Sequence, residues 1–323
     1  MKSKVILCCF FYVCLIASQT AQSFFVPSDT LNKTRVYTAL GVTTVVSTSF
    51  AIGLYNTWYS KFETQPFHFF NDFGEWRHMD KAGHIHTAYF QGYLTYKSAR
   101  WTGLSKRSSI WTGIVCSTIF QGTVEVFDGY SAKWGFSLSD IAANMTGTSI
   151  FALQQYYWNE QKIIIKVSSF PNTYSNIPVI SSDGLGITDL NSRAADLFGS
   201  GFFEKYLKDY NAQTYWASFN IHALLNTGNK WPKWLNIALG YGAENLFGGF
   251  ENSWSKDNKL YTLNTHDFPR HSQFYISPDI DFSKIKTKSP FLKSLFTGLN
   301  IFKMPAPAIE LNTRGQIVFH LLK

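Results

Sequence analysis

The chain has 323 residues, a net charge of +8, 45% hydrophobic residues and only 15% charged ones. The length allows two domains and an ample core, and the charged fraction is low for a cytosolic enzyme, where about a quarter is usual. The positive charge is dispersed, and no zinc finger, RNP-like motif or basic helix accompanies it, so nucleic acid is excluded as a partner. Aromatic residues make up 17%, a bias that suits membrane interfaces and antiparallel sheets. A membrane surface or an envelope lipid is the expected partner.

Residues 1–23 read as a secretory signal peptide. Lys2 and Lys4 precede an apolar run from Val5 to Ala17, and Ala21-Gln22-Ser23 offers a cleavage point. An uncleaved anchor is the alternative, although the run is short for a span. No lipobox follows the apolar run. Cys8, Cys9 and Cys14 lie within the leader, leaving Cys116 alone, so a disulfide within the mature chain and a cysteine-based zinc site are excluded. The leader places the chain in the cell envelope, in the periplasm or at the outer membrane, with insertion into a membrane open.

Residues 30–160 read as a helical bundle, and 161–323 as a β-rich domain, an α+β chain overall. Val36 to Ser60 carries no charge and is long enough for one transmembrane helix or for a buried bundle helix. An aromatic loop fills 61–79. Residues 80–99 suit an amphipathic helix, and Ser108 to Val124 is again uncharged, with Gly113 and Gly122 suited to close packing. Ser137 to Asp140 forms a capping box that opens a fourth helix running to about Trp158.

The Lys162–Val167 run is strand-like. Residues 168–190, rich in Ser, Asn, Pro, Asp and Gly, read as a long loop, and Arg193 to Leu207 as a short amphipathic helix. Period-two alternation follows in 215–223, 235–243, 274–282 and the tail, where Asn312-Thr313-Arg314-Gly315 marks a turn. The alternation predicts an antiparallel sheet with its apolar face buried. It also fits the wall of an outer-membrane barrel, but about five or six strands fall short of the roughly eight a closed barrel needs.

Three short segments of the helical half carry the chemistry. Asp80, Lys81 and His84 fall on one helix face. Glu125 and Asp128, three apart, could aim at one point. Asp140 and Asn144 line a face that continues to Gly147. Each has a plain reading: Asp80 and Asp140 as acids at helix starts, Glu125 and Asp128 as a polar helix end entering a turn. Asn144 is harder to dismiss, because an interior Asn in a buried helix needs partners.

The ordered set resembles the YfiM-like family, uncharacterised envelope proteins described as periplasmic lipoproteins. The matching elements are Asp80-Lys81 with His84, Glu125 with Asp128, and Gly135-Phe136-Ser137-Leu138-Ser139-Asp140 leading to Gly147. The stretches 208–216 and 305–308 also resemble longer members. A looser resemblance, through Asp140, Ala143, Asn144 and Gly147, is to VanZ-like membrane proteins. These resemblances imply an envelope compartment and no established reaction.

The first functional expectation is a structural or interaction role at a membrane. The alternative is an envelope hydrolase or transferase working on a lipid or cell-wall precursor through Asp80, Lys81, His84, Glu125, Asp128, Asp140 and Asn144. In that reading His84 or Glu125 is the general base, Asp80 or Asp128 orients it, and Lys81 holds a phosphate. No cofactor is expected and no metal is assigned, with a cation held by His84, Glu125 and Asp128 as a variant.

Overall fold

A computed structural model of the chain describes residues 24–60, 62–170, 172–226 and 230–323. The leader, with Cys8, Cys9 and Cys14, lies outside them. Helix α1 spans Lys33–Leu54 and continues through a π-helical turn at Tyr55–Tyr59. None of its residues is buried, so the Val36–Ser60 segment is not the bundle core helix it could have been. Arg35 Nη1 donates to Trp101 O (3.1 Å), and Phe50 rests on Phe120.

The aromatic loop leads into a 3-10 turn at Glu75–His78 and then into α2 (Met79–Trp101). Helix α3 covers Lys106–Gly129 and α4 Leu138–Trp158. The capping box forms as the sequence predicts: Ser137 Oγ accepts from the Asp140 amide at 3.0 Å.

These helices pack through small and polar residues. Helix α3 buries Ser109, Gly113, Ser117, Gln121 and Glu125, one stripe at four-residue spacing. A Cβ on Gly113 would sit 2.6 Å from Gly92 O, and one on Gly147 would sit 2.1 Å from Ile85 O. The helices therefore cross where only glycine fits. The outer faces are apolar instead, with Trp111, Val115, Ile119, Met145 and Leu153 exposed.

The C-terminal half is antiparallel β structure. Its strands are β1 (Ile163–Ser169), β2 (Pro178–Ile180), β3 (Ile187–Asp189), β4 (Gln213–Phe219), β5 (Leu235–Glu244), β6 (Ser253–Lys256), β7 (Lys259–Thr262), β8 (His271–Ile280), β9 (Ala308–Asn312) and β10 (Ile317–His320). Six form one sheet in the order β1-β4-β5-β8-β9-β10, and β2-β3 and β6-β7 are separate hairpins. Among the described residues the large sheet is open, with β1 and β10 at its edges.

Local expectations fail in three places. The loop over 168–190 contains the β2-β3 hairpin. The helix over 193–207 is two helices, α5 (Leu190–Phe198) and α6 (Phe202–Lys208), broken where Gly199 takes φ 79°. The strand over 215–223 stops at Phe219, because Asn220 Oδ1 accepts from the Ala223 amide and starts the short helix α7 (Ile221–Leu225).

The larger departure concerns the sheet's faces. The apolar face meets α2 at its β1-β4 end, where Ile165 and Ala217 join Tyr89, Phe90 and Phe151 in one core, and at the end of β5, where Tyr241 and Ala243 pack on Met79. Farther along, Leu239, Ile276, Ile309 and Phe319 form a registered row that is open to solvent. The polar face is the buried one: Lys166, Ser218, Asn236 and Asp279 are at most 2% exposed. Lys166 Nζ is 2.8 Å from Asp279 Oδ2 and donates to Ile280 O, and Ser218 and Asn236 extend the chain of hydrogen bonds.

Candidate functional site

The site forms where the N-terminal ends of α2 and α4 meet the last turns of α3, beside the sheet. Chain entry into α2 is unusual. Trp76, Arg77 and His78 all take left-handed backbone angles, φ 49°, 50° and 64°. Each such residue costs roughly 1–2 kcal/mol. The sheet half holds them there. The Trp76 amide donates to Gly249 O (2.8 Å), Arg77 Nε donates to Ser272 Oγ (3.1 Å), and the Tyr241 hydroxyl donates to Arg77 O.

Lys81 lies at the centre. Its Nζ is 2.6 Å from Asp140 Oδ1, 2.9 Å from Asp72 Oδ2 and 3.0 Å from Asp80 Oδ2. An ammonium has three protons, and three carboxylates face them. The three carboxylates would compete with a phosphate for Lys81, the role the sequence offered it. Burial alone would lower its pKa, but Asp80, Asp140 and Asp72 reverse this and hold it above the usual lysine range.

Asp72 is the acceptor hub. Ser137 Oγ and Ser139 Oγ donate to its Oδ1 at 2.6 and 2.7 Å. Burial opposes its charge, but protons from Asp140, Ser137, Ser139 and Lys81 overcome that and keep it well below the ordinary carboxylate range. Asp140 moves the other way: burial, then repulsion from Asp80, holds its proton on. Asp80 accepts from the Tyr210 hydroxyl at 2.9 Å. Despite burial, His84 and Lys81 favour its charged form.

His84 joins the helices. With Nδ1 protonated it donates to Asn144 Oδ1 (3.1 Å), and Glu125 Oε1 lies 3.6 Å from the same nitrogen. Its Nε2 then carries the free electron pair, facing Asp140 Oδ1 at 3.6 Å and Asp80 Oδ1 at 3.7 Å. Solvent reaches the cluster here, where the His84 and Asp80 side chains are 16% and 21% exposed.

Glu125 is the anomaly. It is fully buried, and neither carboxyl oxygen has a hydrogen-bond partner. The Ser137 amide favours its ionised form slightly, but does not reach hydrogen-bond geometry. Burial, with repulsion from Asp128 and Asp80, pushes its pKa up to about 8. A buried polar group without a partner costs about 1–3 kcal/mol, and more when charged.

Of the seven residues singled out from sequence, Asp80, Lys81, His84, Glu125, Asp140 and Asn144 converge. Asp128 stands aside: the Tyr59 hydroxyl donates to its Oδ1 (2.7 Å), at the rim rather than beside His84. Asp72 and Tyr210 were not singled out. An acid within an aromatic loop was the available signal for Asp72. Tyr210 lies in a stretch noted only for its family likeness.

The architecture is thus a helical bundle with a polar interior, backed by an antiparallel sheet, with a carboxylate-rich cluster at their junction. Over residues 69–156 the chain matches the family model described as predicted periplasmic lipoprotein (DUF2279). That span contains α2, α3, all but the last two residues of α4, and every cluster residue except Tyr210. The description supports an uncharacterised periplasmic lipoprotein family, and the location is the cell envelope. Neither a curated protein nor a solved structure matches the chain.

Proposed function

We propose that this chain is a membrane-attached envelope hydrolase or transferase acting on a lipid or cell-wall precursor, with the electron pair on His84 Nε2 as its reactive atom. Glu125 carries this reading. A network that only knits helices together satisfies its members, whereas Glu125 is buried without a hydrogen bond beside the cluster's imidazole, which reaches solvent. Glu125 and Asn144 orient the ring from the Nδ1 side, leaving Nε2 to face a substrate arriving past Asp80. Attachment to a bilayer is supported by α1, an exposed apolar helix of 22 residues, and by the apolar outer faces of α3 and α4. The likeness to YfiM-like and VanZ-like proteins agrees with the compartment.

A scaffold is the second reading, favoured by the saturation of Lys81 across three segments. The two separate in a strain that lacks this chain, complemented by the wild type or by Glu125→Gln. Mass spectrometry of envelope lipids and cell-wall precursors is the readout. The catalytic reading expects a precursor to build up in the null strain, to clear with the wild type, and to persist with Glu125→Gln at equal protein level. Full clearance by Glu125→Gln leaves the scaffold reading standing.

A further inference from the structure

We propose that His84 Nε2, Asp80 Oδ1 and Asp140 Oδ1 form a site for a divalent cation of borderline character, Zn2+ or Mn2+. The three residues offer ligand atoms within 4.8 Å of one another. The 3.6 and 3.7 Å separations from Nε2 exceed the roughly 3.2 Å limit of a hydrogen bond. They are close to the spacing that tetrahedral ligands adopt, about 3.3 Å when each bond is about 2.0–2.1 Å. Shifts of a few tenths of an ångström would bring each carboxylate to that spacing from Nε2.

Clustered acids alone would not justify a site, and the second observation lies on the other side of the imidazole. A metal-bound histidine characteristically gives its remaining N–H to a carboxylate or carbonyl, which fixes the tautomer and the ring. His84 Nδ1 has both kinds of group before it, Asn144 Oδ1 at 3.1 Å and the unpartnered, fully buried Glu125 at 3.6 Å. That arrangement gives Glu125 a use that no hydrogen bond within the chain provides.

Charge points the same way. Asp72, Asp80, Asp140 and Glu125 surround a single ammonium, Lys81. A divalent ion would offset two more of these carboxylates while Lys81 stays on Asp72 and on Asp80 Oδ2. The donor set selects among ions. Mg2+ and Ca2+ favour all-oxygen shells, whereas one imidazole with two carboxylates suits Zn2+ or Mn2+. Spacing alone had offered His84, Glu125 and Asp128. In the folded chain Asp80 and Asp140 take the ligand places, Glu125 backs the histidine, and Asp128 is held by Tyr59.

The inference rests on the exposed electron pair assigned above, which a bound ion would take up as a ligand in place of a proton, and its test needs no turnover. Full-length protein in detergent would be stripped with a chelator, dialysed, and titrated with Zn2+ and with Co2+. Metal content and the visible Co2+ spectrum are the readouts. The wild type is expected to bind one ion per chain. His84→Gln should weaken binding at least 100-fold, and Asn144→Ala about 10-fold through the lost orientation of the ring. Asn144→Ala keeps all three ligands, so it remains informative if His84→Gln does not fold. Wild-type binding below about a tenth of an equivalent overturns the site, as does unchanged affinity in a folded His84→Gln. Stoichiometric metal with no precursor turnover keeps the site and removes the catalytic reading.

Discussion

Lys81 and Lys166 are both buried lysines, and they are neutralised in different ways. Within the sheet, Lys166 meets one carboxylate, Asp279, and one carbonyl, Ile280 O. That is one acid for one cation, and the buried Lys303 is attracted by the same Asp279. At the junction, Lys81 faces three carboxylates, and Glu125 adds a fourth close by. A balanced interior is sufficient as structure. A surplus of acids around an imidazole must be met by protons or by a cation, and that separates a site from a core.

The widest gap between the two regions should come from Lys81→Met. It strands Asp72 and Asp80 as buried carboxylates beside Asp140 and is expected to cost more than about 5 kcal/mol, enough to unfold most of the chain at neutral pH. Lys166→Met strands one and should cost about 3–5 kcal/mol, and adding Asp279→Leu should bring stability back to within about 2 kcal/mol of the wild type. Denaturant midpoints for the three proteins measure this. If Lys81→Met is no worse than Lys166→Met, the two lysines are equivalent and the contrast fails.

A smaller effect is expected at the crossing that sets His84 against Asn144. Gly147→Ala places a methyl 2.1 Å from Ile85 O and should destabilise by about 3 kcal/mol. The same change at Gly122, where nothing lies within 4 Å, should be neutral or slightly stabilising. Thermal denaturation of the pair separates a tight crossing from a general intolerance of alanine.

The smallest effect concerns pH. Burial lowers the Lys303 pKa from 10.5 to about 8. Between those values the unfolded chain binds more protons than the folded one, so stability should rise as pH increases from 8 towards 10.5. Below 8 the full penalty of a buried ammonium remains. Lys303→Met should flatten that rise. Denaturation curves at pH 7.5, about 9 and about 10 check the sign, and a flat wild-type profile means that Lys303 is better solvated than its surroundings imply.

Much of the helical half was legible in the sequence. Asp80, Lys81 and His84 share a face because helical spacing puts them there, and the Ser137 cap follows from local chemistry. Asp72 was not legible, since its place depends on the path of a loop that no periodicity describes. The strands β4, β5 and β8 were readable by period, but their dry side was not. Alternation reveals which residues share a face. It does not reveal that Lys166, Ser218, Asn236 and Asp279 hydrogen-bond one another well enough to be buried while Ile276 and Ile309 face outward. Tyr210 escaped for a similar reason: it reaches Asp80 across 130 positions of sequence.

The left-handed run at Trp76, Arg77 and His78 has a consequence for biogenesis. A secreted chain emerges N-terminus first, so α2 and its acids leave the membrane long before Tyr241, Gly249 and Ser272, the residues that hold the run in place. During that interval Asp80, Lys81 and His84 sit on a helix whose entry angle is not yet fixed, and Asp80 has no Tyr210 to meet. The cluster closes only after residue 272 has crossed, 195 positions after Arg77. A chain truncated at residue 160 would keep α2, α3 and α4 but lose what aims them, and chaperones that hold the chain during export would be guarding an open cluster of acids.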